Sequence, residues 1–348
     1  MLKIDETLSR QLALVTTIAT VLVVMCHTDD IFPQALRSWW VNFLGGPFTD
    51  ANVANFFFLS GLLVARRAEK SDWWQAALGK RLKTLLLPYA LWSLLYFLFY
   101  AGVAYWTGKP APFAERLMTA DMGLARIFGL GVLNTPADFA LWYIKTLLCF
   151  IFISPPFFWF LRRTRWSLPV FLMSGLTFYY AIRWFKLPFA PIFLSAGALF
   201  HLVGLMCFLT GAAIAVRPGS FAWARRWWMA PIALALWFGA AIIKFPSPIH
   251  ALWVPLCIAL EVFALQLFAA AIPIRVPCWL TGTLFFIYAA HMAVLKLFAK
   301  ILPAMREVLS PMGTYALILT LTLFLCVGAS LLLKRFFPRL AAPLHGGR

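Results

Sequence analysis

A histidine stands at the outer end of the first apolar stretch, in Val24-Met25-Cys26-His27, and two carboxylates follow it at Asp29 and Asp30. An imidazole inside hydrocarbon costs free energy unless it faces protein or a water-filled cavity, so its placement reads as functional by default. Near pH 7 a neutral imidazole can take a proton from a hydroxyl, and a carboxylate within one helical turn can hold its other nitrogen. The plain alternative is a histidine merely hydrated at a helix end. Asn52 and Asn55 lie three apart on one face of the next apolar stretch, which continues as Phe56-Phe57-Phe58-Leu59-Ser60-Gly61. Small residues at Ser60 and Gly61 permit close helix approach, either as a packing seam or toward a ligand.

Cations gather between the second and third apolar stretches, at Arg66, Arg67, Arg81 and Lys83. Charge-assisted donors of this kind suit phosphate, and arginine can bind it as a fork. Positive-inside topology alone accounts for some of them. Farther along, Trp142, Tyr143 and Lys145 open a span, and Glu261 stands within a later one as a candidate partner for Lys145. Tyr288 precedes His291 by three residues, so the two share one side of a helix.

These residues need a scaffold, and composition identifies it. Of 348 residues 63% are hydrophobic and 12% charged, far too little charge for the surface of a soluble domain this size. Stretches long enough to cross about 30 Å of hydrocarbon, about 20 residues each, fall near 11–28, 50–66, 84–106, 138–161, 166–184, 191–216, 228–245, 250–272, 279–299 and 313–333. The expectation is an all-α, polytopic bundle of about ten transmembrane helices. It forms one membrane domain over residues 1–348, without linkers or internal repeats. The first stretch lacks a convincing cleavage site and reads as a retained span.

With the amino terminus on the cytoplasmic side, most of the 30 Lys and Arg fall on that side, which also makes the carboxyl terminus cytoplasmic. The net charge of +18 flanks spans rather than forming a basic stripe, so lipid accounts for it better than nucleic acid. The 6 cysteines all lie in apolar stretches without metal-type spacing, so neither a disulfide framework nor a metal site is expected.

Taken in order, the His27 span, Phe56-Phe57-Phe58-Leu59-Ser60-Gly61, the basic Lys80-Arg81-Leu82-Lys83 segment ending in Pro88-Tyr89, Leu141-Trp142-Tyr143, and Ile287-Tyr288 with His291 resemble the acyltransferase-3 family of bacterial integral-membrane O-acyltransferases. The resemblance covers essentially the whole chain. It implies a bacterial inner-membrane enzyme that carries an acyl group, usually acetyl, from cytoplasmic acyl-CoA to a hydroxyl. The acceptor would be an extracytoplasmic glycan, glycolipid or related molecule. His27 would then activate the hydroxyl, helped by Asp29 or Asp30. Arg81 and Lys83, with Arg66 or Arg67, would hold the CoA phosphates. His291 and Tyr288 would orient the acyl carbonyl, and Asn52, Ser60, Trp142, Tyr143, Lys145 and Glu261 are further substrate-facing candidates. One departure stands out. Family members commonly carry an arginine eleven residues before the first-span histidine, where this chain has Thr16, with Arg10 or Lys145 as substitutes. The rival reading is a transporter or flippase of lipid-linked saccharides, whose buried polar residues would line a substrate path.

Overall fold

The computed structural model describes residues 6–33, 37–68, 72–107, 139–185, 196–216, 226–244 and 250–347. Asp138 and most of the 107–137 loop lie outside the described residues. Among the described residues there is no strand. A hydrocarbon environment requires this, because a helix satisfies its own backbone groups where water cannot.

The helices are α1 (Glu6–Asp30), α2 (Trp39–Gly45), α3 (Asn52–Ala65), α4 (Trp73–Arg81), α5 (Leu87–Thr107), α6 (Trp142–Arg163), α7 (Ser167–Phe185), α8 (Ala196–Val216), α9 (Met229–Lys244), α10 (His250–Ala271), α11 (Cys278–Thr281), α12 (Leu284–Val308), α13 (Pro311–Phe336) and α14 (Pro338–Leu344). Among the described residues six segments are long and apolar enough to cross a membrane: α1, 73–103, α6, 253–271, α12 and α13. Four more helices, α3, α7, α8 and α9, carry apolar stretches described at 52–65, 167–182, 201–216 and 229–243. Each of the ten expected stretches is helical where described, and six of them are candidate spans. Glu261 does not interrupt α10, which runs through it unbroken.

Two local features shape the bundle's centre. The first is the crossing of α3 and α8. A Cβ at Gly61 would overlap the Phe208 carbonyl, and one at Gly211 would overlap the Phe58 carbonyl. Backbone meets backbone there, which only glycine at both positions permits. Gly61 is thus committed to packing, while its neighbour Ser60 turns the other way.

The second is a single π-turn, Leu82–Leu86, between α4 and α5, in which the Leu87 N–H reaches the Leu82 carbonyl. Pro88 follows and has no N–H to offer the Thr84 carbonyl four residues back, which favours the wider turn. Short α4 ends there and α5 enters the bundle. Arg81 is the last residue before the turn.

One large hydrophobic core joins α1, α3, α6, α8 and α12. Its polar ties are tyrosine hydroxyls donated to main-chain carbonyls. At the end carrying Arg66 to Arg81, here the basic end, α14 folds back and the Trp92 indole donates to the Leu344 carbonyl at 3.1 Å. His345 is wholly buried, between Ser330 Oγ at 2.6 Å and the Ala341 carbonyl at 2.7 Å, and stacked on Phe286.

Candidate active site

α1 delivers His27 to the far end of the bundle, where its side chain is nearly buried. Nδ1 lies 2.7 Å from Asp30 Oδ2. An ionised carboxylate only accepts, so Nδ1 carries the proton and Nε2 is the basic nitrogen. Asp30 is half exposed, with 55% of its side-chain surface open, so the dyad stands at a wetted edge rather than deep in hydrocarbon.

Asp29 does something else. It pairs with Arg37 Nη1 at 2.8 Å and packs so tightly on Gly45 that a Cβ there would overlap it. Of the two carboxylates, Asp30 holds the imidazole and Asp29 anchors the segment after α1 to α2.

α12 brings a second imidazole beside the first. The rings of His27 and His291 are 5.3 Å apart at 31°. His291 is wholly buried, and Nδ1 donates to the Ile287 carbonyl at 3.2 Å. Its Nε2 is buried with no hydrogen-bond partner. A buried polar atom left in this state costs free energy and calls for an explanation, and a transient ligand supplies one.

Tyrosines fix both histidine-bearing turns. Tyr315 donates to the Met25 carbonyl at 2.8 Å, two residues before His27. The Tyr96 hydroxyl donates to the Ala289 carbonyl at 3.0 Å and accepts from the Ala293 N–H at 2.9 Å, spanning a ladder pair that brackets His291.

Toward the basic end two adjoining cavities lie below the imidazoles. The inner one, about 130 Å³, is lined by Thr16, Thr20, Ser60, Tyr143, Tyr288 and apolar side chains. The Tyr143 hydroxyl donates to the Phe56 carbonyl at 3.3 Å, leaving its oxygen to accept from Ser60 Oγ at 3.1 Å. Tyr288 bonds the Ala140 carbonyl, and its ring lies 6.3 Å from His291.

The outer cavity, about 360 Å³, is walled by Arg66, Arg67, Lys80, Arg81, Thr84 and the backbone of Gly346 and Gly347. Leu63, Arg81, Leu85 and Phe285 line both cavities. Arg81 therefore stands where a cationic vestibule narrows into an apolar throat. Lys83, within the π-turn, is exposed and lines neither cavity, while Lys80 lines the outer one.

Thr16 occupies the throat wall. Its hydroxyl bonds the Leu12 carbonyl at 2.6 Å, and Thr20 bonds the Thr16 carbonyl at 2.8 Å, so both hydroxyl protons are spent within α1. Arg10 lines neither cavity. From Thr16 to His27 the helix rises roughly 16 Å at 1.5 Å per residue, and from Thr20, also in the throat wall, roughly 10 Å.

The remaining candidates surround this track. Asn52 bonds the Val53 N–H at the start of α3. Trp142 packs edge-on to His201, which bonds Thr146 at 2.8 Å. Lys145 is half-buried on α6, and Glu261 is wholly buried on α10. On the same helix Gln266 donates to Asn55 Oδ1 at 3.1 Å, an inter-helix bond between two polar residues the sequence reading did not link. Among the described residues no cluster of three or more His, Cys, Asp or Glu is placed to hold a metal.

A carboxylate-oriented imidazole can remove a proton from an incoming hydroxyl. A cationic vestibule beneath it can hold phosphate, and an apolar throat can hold the chain between the two. A family model described as an acyltransferase domain matches residues 12–331, nearly the whole chain. No curated protein and no solved structure matches it.

Proposed function

The chain belongs to the acyltransferase-3 family, and we propose that it transfers an acyl group from acyl-CoA, entering at the basic end, to a hydroxyl of an acceptor at the far end. The observation that carries this reading is a vestibule and throat sharing Arg81, with Tyr288 of the throat wall 6.3 Å from His291 and His291 5.3 Å from the Asp30-paired His27.

The donor's phosphates are held by Arg66, Arg67, Lys80 and Arg81, whose charges match a polyanion. Its pantetheine arm extends through the throat past Thr16 and brings the thioester toward the imidazoles. Asp30 keeps His27 in the tautomer that leaves Nε2 basic. As the acceptor oxygen attacks the thioester carbon, its proton passes to Nε2 and the C–S bond breaks. The same proton then reaches the departing CoA sulfur. A thioester is reactive enough that no covalent acyl-enzyme is needed. The unpartnered Nε2 of His291 only accepts, so it suits a second hydroxyl or a water of the acceptor rather than the acyl oxyanion. Tyr288, whose hydroxyl proton is committed to the Ala140 carbonyl, shapes the throat wall beside the acyl group.

The membrane is the bacterial inner membrane, the acyl group acetyl, and the acceptor a surface glycan or glycolipid. The test is release of free CoA by the purified protein in lipid nanodiscs, supplied with acetyl-CoA and cell-envelope glycan. The parent should release CoA in step with acylation, and a folded His27→Ala protein should be slower by roughly 100-fold or more, the size of a lost general base. Near-parent turnover by that variant would remove His27 from the role. Movement of a lipid-linked sugar without CoA release would point to transport instead.

A further inference from the structure

The last three turns of α6 carry a feature the acyl-transfer path does not use. A third cavity, about 330 Å³, opens at the basic end between α4 and α6, lined by Trp73, Pro155, Phe158, Trp159, Arg162 and Arg163. None of these residues lines the vestibule or the throat. Arg162 is oriented by its bond to the Ala68 carbonyl, and Arg163 lies over the Trp159 ring at 5.1 Å. Trp73 stacks on Phe158 at 5.2 Å, giving the cavity a flat aromatic floor.

Below the cavity the outward face of α6 continues as an exposed apolar stripe. Phe152, Pro156, Trp159 and Arg163 follow one another at spacings of four, three and four, so they stack on one helix face. Phe152 is 61% exposed and Trp159 60% exposed, in a helix of spanning length and composition. Read along the helix toward its end, the stripe passes from phenyl to indole to guanidinium. That is the polarity profile of a single amphiphile: hydrocarbon chains, an interfacial region and an anionic head. Indoles prefer that interfacial level, and a guanidinium forks onto phosphate.

We propose that this groove is a binding site for one anionic phospholipid, with its phosphate on Arg162 and Arg163 and its acyl chains along Phe152. The continuous apolar stripe selects a lipid over a free phosphate ion, because an ion would leave it unused. The site stands apart from acyl transfer, so its failure would leave that reading untouched.

The test is native mass spectrometry of the full chain released from detergent, with added dioleoylphosphatidylglycerol, dioleoylphosphatidylcholine or inorganic phosphate. The parent should retain one phosphatidylglycerol in preference to phosphatidylcholine. Arg163→Gln, which spares the Arg162 tie to Ala68, should retain it about fivefold more weakly, the worth of one basic residue at an anionic lipid surface. Equal retention of the two lipids by the parent would overturn the proposal, and needs no variant. Unchanged retention by Arg163→Gln would overturn it too. So would displacement of the lipid by inorganic phosphate, or a lipid-free dimer that covers the groove with a second copy.

Discussion

His27 and its two following carboxylates show how one peptide step decides a role. Successive residues of a helix point about 100° apart, so Asp30 turns back to Nδ1 while Asp29 turns to Arg37. Asp30→Asn should therefore lower turnover by a large part of the His27→Ala loss, because an amide can hold the ring in the wrong tautomer. Asp29→Asn should leave turnover near parent and lower thermal stability instead. Measuring rate and melting temperature on both proteins separates the two, and a catalytic defect confined to Asp29→Asn would reverse the assignment. The vestibule makes a parallel distinction between two lysines. Lys80→Gln with Arg81→Gln should weaken acyl-CoA binding by about a hundredfold or more, each lost charge-assisted bond being worth about 1.5–3 kcal/mol. Lys83→Gln should bind nearly as the parent does. Calorimetry in detergent compares them, and equal affinity for all would take Lys80 and Arg81 out of the donor site.

At the scale of the element, the π-turn explains why a basic quartet could be read from the sequence but the member that lines neither cavity, Lys83, could not. Four cations near the mouth are legible because charge beside an apolar run demands a reason. Which of them faces the cavity depends on a local widening that shifts Lys83 off the face shared by Lys80 and Arg81. Tyr96 and Tyr315 were illegible for another reason: an aromatic residue in an apolar stretch looks the same whether it meets lipid or a backbone carbonyl. Gly61 was legible as a site of close approach, while the partner it approaches, Phe208 on α8, was not. Gly61→Ala should destabilise the protein by about 1–3 kcal/mol despite alanine's better helix propensity, since the added methyl overlaps the Phe208 carbonyl. A thermal melt at or above the parent's would contradict that packing. The carboxyl-terminal turn adds a pH dependence. Burial holds the His345 imidazole below its ordinary range, and the Lys334 ammonium pushes the same way against the Ala341 bond. The unfolded chain then binds the extra proton, so stability is full above about pH 6.5 and falls as pH drops below it. His345→Gln should flatten that part of the stability profile, and an unchanged acid slope would remove His345 as its source.

For the molecule as a whole, the ten apolar stretches were readable by length and hydropathy, and each is mostly helical among the described residues. Which ones cross fully was not, because a short apolar helix such as α3 earns its burial from neighbours rather than from lipid. The placement of the cations predicts a cytoplasmic basic end, an orientation that can be measured directly. Single cysteines at Gln75 and Glu307, both exposed and at opposite ends, should label oppositely with an impermeant maleimide when the native cysteines are replaced. In intact spheroplasts Glu307→Cys should react, and Gln75→Cys only after permeabilisation. The reverse pattern would place the vestibule outside and leave cytoplasmic acyl-CoA no way in. The glycine crossing of α3 and α8 has a mechanical meaning as well. Two main chains in direct contact have no side chains between them to flex, so these helices behave as a single beam. The imidazole-bearing helices are instead tied to their neighbours by tyrosine hydroxyls, which can let go of a carbonyl and take it again. α3 therefore holds Ser60 in the throat wall by main-chain contact, whereas α1 and α12 seat their imidazoles through one tyrosine hydroxyl each, from α13 and α5.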